Sequence, residues 1–193
     1  DIQILDGIKQ GKIFLHKINV ADGSLKVGDT LKLSVESTSR ASAASNHSAT
    51  HLMHAALKHV LGSHVEQKGS LVDASKLRFD FSHPKAVTKD EIKEIELIVN
   101  QQTLNNAEVK TELMQLDDAI ASGAEAMFGE KYDDEVRVLS MGDGFSVELC
   151  GGTHVSRTGD IGMFVILSES SVSSGVRRIE AVTGSKAVEL MLE

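Results

Sequence analysis

Asn46-His47-Ser48-Ala49-Thr50-His51-Leu52-Met53-His54-Ala55-Ala56-Leu57-Lys58-His59-Val60-Leu61-Gly62 decides how the rest of the chain is read. Asn46 carries an N-cap side chain and Gly62 suits the left-handed residue that ends a helix, so the spacing predicts a helix over 47–61. At roughly 100° per residue, His47, His51 and His54 fall within about 60° of one another. Ala49, Leu52, Met53, Ala56 and Val60 gather on the opposite side. A helix with such an apolar face needs a surface to cover it, and the flanking sequence offers strands.

After the helix, Leu77-Arg78-Phe79-Asp80-Phe81-Ser82 alternates apolar and polar side chains as a half-buried strand does, with the chain's one proline, Pro84, just beyond. Thr88-Lys89-Asp90-Glu91 has capping-box spacing. Ile92, Ile95 and Val99 then share a face, which predicts a second helix to about Asn105. A third helix is expected over 116–127 and a last from Ser185, with strands at 109–114, 136–141, 146–149, 162–167 and 176–182. Before the first helix, 12–18 and 30–35 read as strands separated by a turn at 21–24, and 37–42 as a polar connector. Two or three strands cannot bury both faces alone, so 1–36 reads as part of a small β unit completed upstream of Asp1. The pattern is α+β with a largely antiparallel sheet and packed helices.

The chain's 193 residues, 41% hydrophobic, suffice for a packed core. Twenty basic against 28 acidic side chains give a net charge of −8, so the surface as a whole repels a phosphate backbone and any contact with nucleic acid must be local. One cysteine cannot form an internal disulfide, which fits a reducing, cytoplasmic setting, and no apolar stretch is long enough to span a membrane. The first residue is Asp1, from which the chain is expected to be a piece of something longer.

The chemistry concentrates at two places. His47 and His51 stand one helical turn apart, close enough to share an ion; equally, the stripe can be a solvated helix face. Cys150-Gly151-Gly152-Thr153-His154 presents a thiol and an imidazole across two glycines that keep Cβ atoms out of the way. Sulfur with nitrogen favours zinc. The thiol can also be a small buried hydrophobe, or a nucleophile with His154 or His51 as its base.

Together with Gln67-Lys68-Gly69-Ser70-Leu71-Val72, Leu77 to His83 and Gly175-Val176-Arg177-Arg178-Ile179-Glu180-Ala181, these motifs resemble the editing domain of alanyl-tRNA synthetase. That family includes free-standing alanyl-editing proteins and is related to the threonyl-tRNA synthetase editing domain. The resemblance implies an editing core at 37–193, preceded at 1–36 by the tail of a β-barrel. It implies that His47, His51, Cys150 and His154 surround Zn2+, and that Gln67 lines the pocket and takes part in editing. The implied reaction is hydrolysis of the ester in Ser-tRNA(Ala) and Gly-tRNA(Ala). The synthetase's charging domain has no counterpart here, so ligase activity is expected to be absent. The implied partners are the 3′ end of mischarged tRNA(Ala) and the other domains of the synthetase.

A pocket that accepts alanine cannot exclude glycine by size and rejects one added hydroxyl only modestly, which is why a second, hydrolytic site is needed. Gln67 and Thr50 are the candidates for sensing the serine hydroxyl, and with Cys150 they make up the expected catalytic set. Gly151, Gly152 and Arg178 are expected to meet the substrate's RNA end. Glu148 and Asp80 are candidates for orienting the imidazoles, with His54 beside them, while His59, His64 and His83 are left outside the ion. The alternative is a non-catalytic, zinc-stabilised module that binds tRNA.

Overall fold

The computed structural model describes residues 2–126 and 132–193. The chain separates into two compact units, Asp1–Val35 and Glu36–Glu193. In the first, β1 (Ile2–Gln10) and β2 (Ile13–Val20) form an antiparallel hairpin whose tight turn places Gly11 at φ +61°. Segment 13–20 thus pairs with the residues before it rather than with 30–35, which form no strand. Closing a two-residue turn costs less chain entropy than closing the longer 21–29 connection.

The second unit opens with α1 (Ser37–Leu61), which starts ten residues before the expected His47. Glu36 is its N-cap, its carboxylate accepting from the N–H groups of Thr38 and Ser39 at 2.8 and 2.6 Å. The polar stretch 37–42 is therefore helical, with the good helix formers Arg40 and Ala41 within it. Asn46 is no cap. It is buried inside the helix, where Nδ2 donates to the Asp73 carbonyl and Oδ1 accepts from the Thr183 hydroxyl, each at 2.8 Å. A capping side chain found tertiary partners instead.

Downstream come β3 (Gln67–Val72), which the sequence reading did not place, β4 (Leu77–Ser82) and α2 (Lys89–Leu104). The Thr88/Glu91 capping box at the start of α2 is formed from both sides. Next are β5 (Lys110–Gln115), α3 (Leu116–Ala121), β6 (Glu135–Met141), β7 (Ser146–Leu149) and a 3-10 turn at Thr158–Ile161. The chain ends with β8 (Phe164–Ser173), β9 (Val176–Thr183) and α4 (Gly184–Leu192). α3 ends at Ala121 rather than at 127, ahead of Ser122-Gly123; residue 127 lies outside the described residues.

The strands of this unit form two antiparallel sheets, in the orders β3-β4-β9-β8 and β5-β6-β7, so the fold is α+β as expected. On β4, Leu77, Phe79 and Phe81 face the core. Ala49, Leu52, Met53, Ala56 and Leu57 of α1, Ile95 and Val99 of α2, and Ile179 and Ala181 of β9 belong to the same cluster. A smaller one, of Ala119, Ala124, Val136, Val138 and Leu149, packs around β6 and β7. Leu149 belongs to the smaller cluster and Cys150, next in the chain, to the larger, so the end of β7 is held from both sides. Among the described residues no helix is long and apolar enough to cross a membrane.

Candidate metal centre

α1 is buried almost all round between Ala44 and Leu57, so its histidine face is not a solvated stripe. His51 and His54 are 5% and 7% exposed. Opposite them, the Cys150–His154 turn leaves the end of β7 and brings a thiol and a third imidazole to His47 and His51. One donor atom from each of His47, His51, Cys150 and His154 lies within 4.8 Å of the others. Cys150 Sγ is 3.3 Å from His154 Nε2 and 3.7 Å from His47 Nε2.

A tetrahedral ion with ordinary zinc–sulfur and zinc–nitrogen bonds would separate sulfur from nitrogen by about 3.5 Å, so the cluster has the right size for one. His51 Nε2 is buried with no hydrogen-bond partner, which a cation would relieve. The four residues can therefore hold a metal ion. Burial alone would raise the Cys150 pKa, but hydrogen bonds with His154 and His47, together with the nearby His51 imidazole, outweigh it and hold the thiol at about 3. The thiolate, which is the ligating form, is thus favoured before any ion arrives.

The two glycines of the turn differ in kind. Neither has positive φ. A Cβ on Gly152 would lie 2.2 Å from His47 Cε1, whereas one on Gly151 would meet nothing within 4 Å. Gly152 is required because His47 packs against it; Gly151 is not. Arg137, which sequence reasoning passed over, donates from Nη1 to the Gly152 carbonyl at 2.9 Å and pins the turn. Ser48 was also missed. Its Oγ lies 3.3 Å from His154 Nδ1 and accepts from the Val155 N–H at 3.1 Å. Its position on the helix, one residue past His47, was the available signal.

Glu148 is buried behind the histidines, with Oε2 2.6 Å from His51 Nδ1 and Oε1 3.0 Å from His54 Nδ1. Burial pushes its carboxyl up, but the two imidazoles pull it further down, well below the usual range. His51 moves the other way. Burial lowers its pKa, while Cys150 and Glu148 together raise it well above the usual value.

Asp80, the other expected orienting carboxylate, is engaged elsewhere. It receives Nε and Nη2 of Arg178, each at 2.7 Å, so the two residues engage each other rather than the histidines of the cluster. Thr50 is buried, and its hydroxyl donates to the Asn46 carbonyl at 2.8 Å within α1. Gln67 lines a cavity of about 280 Å³ together with His54, Lys58, Glu66, Glu125 and Glu148, so Glu148 touches both this cavity and the metal ligand His51. His64 and His83 form a separate pair, Nε2 to Nδ1 at 2.8 Å.

Residues 136–180 match the family described as the threonyl and alanyl tRNA synthetase second additional domain. An alanine–tRNA ligase of Saccharophagus degradans is 59% identical over 189 residues, covering 98% of this chain and 22% of the relative. One from Burkholderia mallei is 57% identical over 179 residues, covering 93% and 20%. One from Haemophilus influenzae is 54% identical over 186 residues, covering 96% and 21%. The chain spans about a fifth of the length of these relatives. Along nearly its entire length the chain is thus similar to part of these alanine–tRNA ligases, and at 136–180 it matches the second additional domain of the threonyl and alanyl tRNA synthetases.

Proposed function

We propose that this chain is an editing module that hydrolyses the ester of Ser-tRNA(Ala) and Gly-tRNA(Ala), with His47, His51, Cys150 and His154 holding a zinc ion. The observation that carries the reading is the convergence of two ligand pairs, His47/His51 and Cys150/His154, on one volume that an ion fits. When bound, zinc would supply Lewis-acid chemistry, polarising the ester carbonyl or lowering the pKa of a water.

The chain's own residues account for selectivity. Gln67 lines the cavity, and its amide is of the type that can recognise a serine hydroxyl, which alanine lacks. Thr50 has committed its proton to Asn46, so toward a substrate it serves only as an acceptor. Cys150 contributes as a thiolate ligand. The Gly151-Gly152 backbone, held by Arg137, faces the RNA end. Arg178 reaches a phosphate only by exchanging Asp80 for it. The role in translation and the single cysteine fit a cytoplasmic location, and in the intact synthetase the other domains grip the tRNA.

The test is incubation of the chain with Ser-, Gly- and Ala-tRNA(Ala), with and without a chelator, at low salt and high protein concentration. Chelator-sensitive release of serine and glycine, with alanine spared, is expected. Because the net charge is −8, binding rests on local basic contacts with the phosphates, and it should weaken as salt rises. Activity that survives the chelator and is lost on thiol alkylation would assign the reaction to Cys150 as a nucleophile. The four side-chain donors favour a second reading, since four protein ligands complete a tetrahedron as in structural zinc sites. A zinc-stabilised module that only binds tRNA would take up the metal and hydrolyse nothing.

A further inference from the structure

We propose that Glu148 is the positioning residue of this centre: a single carboxylate that accepts Nδ1–H from imidazoles on successive turns of α1, His51 and His54, and thereby fixes Nε2 of His51 as the bare nitrogen that meets the metal. The inference rests on the metal reading above. An ionised carboxylate only accepts, so each nitrogen facing it must carry hydrogen, and a neutral imidazole with its proton on Nδ1 presents a lone pair at Nε2. The distances, 2.6 Å to His51 and 3.0 Å to His54, give each oxygen one imidazole. The three side chains are 8%, 6% and 9% exposed, so water does not compete. Nε2 of both His51 and His54 is buried without a hydrogen-bond partner, so no neighbouring donor competes for a lone pair there.

The strand explains the placement. Glu148 and Cys150 are two residues apart, so they leave the end of β7 toward the same side, the carboxylate behind His51 and the thiol in front of it. The backbone there is fixed by hydrogen bonds from Glu125 N–H to the Val147 carbonyl and from Leu149 N–H to the Glu125 carbonyl, both 2.9 Å. Glu148 and His54 also line the cavity that holds Gln67, so the residue that orients a ligand is at the same time part of the pocket wall.

Two measurements test this. In the zinc-loaded chain, long-range proton–nitrogen NMR of the imidazoles should show His51 and His54 protonated at Nδ1, with His51 bare of hydrogen at Nε2; an unprotonated Nδ1 on either ring would overturn the shared-acceptor arrangement without any variant. In Glu148→Gln, one amide oxygen can accept from only one imidazole while the NH2 opposes the other. Chelator competition should then show zinc affinity reduced about 10- to 100-fold, with one imidazole changing tautomer. Glu148→Asp, which keeps both acceptors on a shorter arm, should fall between. Wild-type affinity and unchanged tautomers in Glu148→Gln would remove Glu148 from this role and leave the metal reading standing. A wild-type chain that takes up no zinc would overturn both.

Discussion

At the scale of single residues, the Cys150–His154 turn separates two glycines that look alike in sequence. Gly152→Ala would drive a methyl group into His47, so either the ring or the turn must move. We expect this variant to bind zinc at least tenfold more weakly in a chelator competition, whereas Gly151→Ala should match the parent chain. Equal affinities for the two variants would mean that His47 is free to yield. The ligand set was legible because two His or Cys residues at four-residue spacing announce themselves. What surrounds it was less so. Ser48 was marked only by its place beside His47, and Arg137 by nothing, and the role of each depends on how the 150–155 segment folds back onto it. Arg178 illustrates the converse: alternation along β9 marked it as available, but only the register that sets it opposite Asp80 shows its guanidinium already occupied.

Elements were read best where a local device fixes an end. Thr88 and Glu91 sit three residues apart, and both halves of their capping box form. The Glu91 carboxyl is held below the usual range, first by the backbone N–H of Thr88 and then by its hydroxyl. A depressed folded pKa contributes stability that is present above the unfolded value, about 4.3, and is lost as pH falls through the lower folded value. Glu91→Ala should therefore lower the unfolding midpoint at pH 7, and the gap to the parent chain should close in acid. Thr88→Ala, which removes the cap itself, should cost about 1 kcal/mol in denaturant unfolding. α1 shows where local rules gave way. Asn46 has the right chemistry for a cap, but two tertiary hydrogen bonds hold it in the helix interior, and Glu36 takes the end instead. The strand expected at 12–18 forms at 13–20, whereas 30–35, expected as a strand, forms none, and the strand at 2–10 that pairs with 13–20 was not read, because alternation carries no information about which neighbour is present to complete a ladder.

On the scale of the whole molecule, every buried side chain among the described residues belongs to Glu36–Glu193. The exposed large side chains of β1 and β2, among them Ile4, Ile8, Ile13 and Phe14, find no cover within their own hairpin. A chain beginning at Glu36, which retains the cap of α1, is expected to keep its thermal midpoint and its zinc affinity, as circular dichroism and metal titration would show. A midpoint lowered by several degrees would mean that the hairpin contributes to the core.

The separation of the ligand pairs along the chain has one more consequence. Cys150 follows His51 by 99 positions, and between them run β3, β4, α2, β5, α3, β6 and β7. An ion gripped at both ends would clasp that whole excursion like a reversible cross-link, and because it favours the folded over the open chain, its concentration sets how firmly the clasp holds. Stripping it should therefore loosen elements that never touch it, α2 and β5 included.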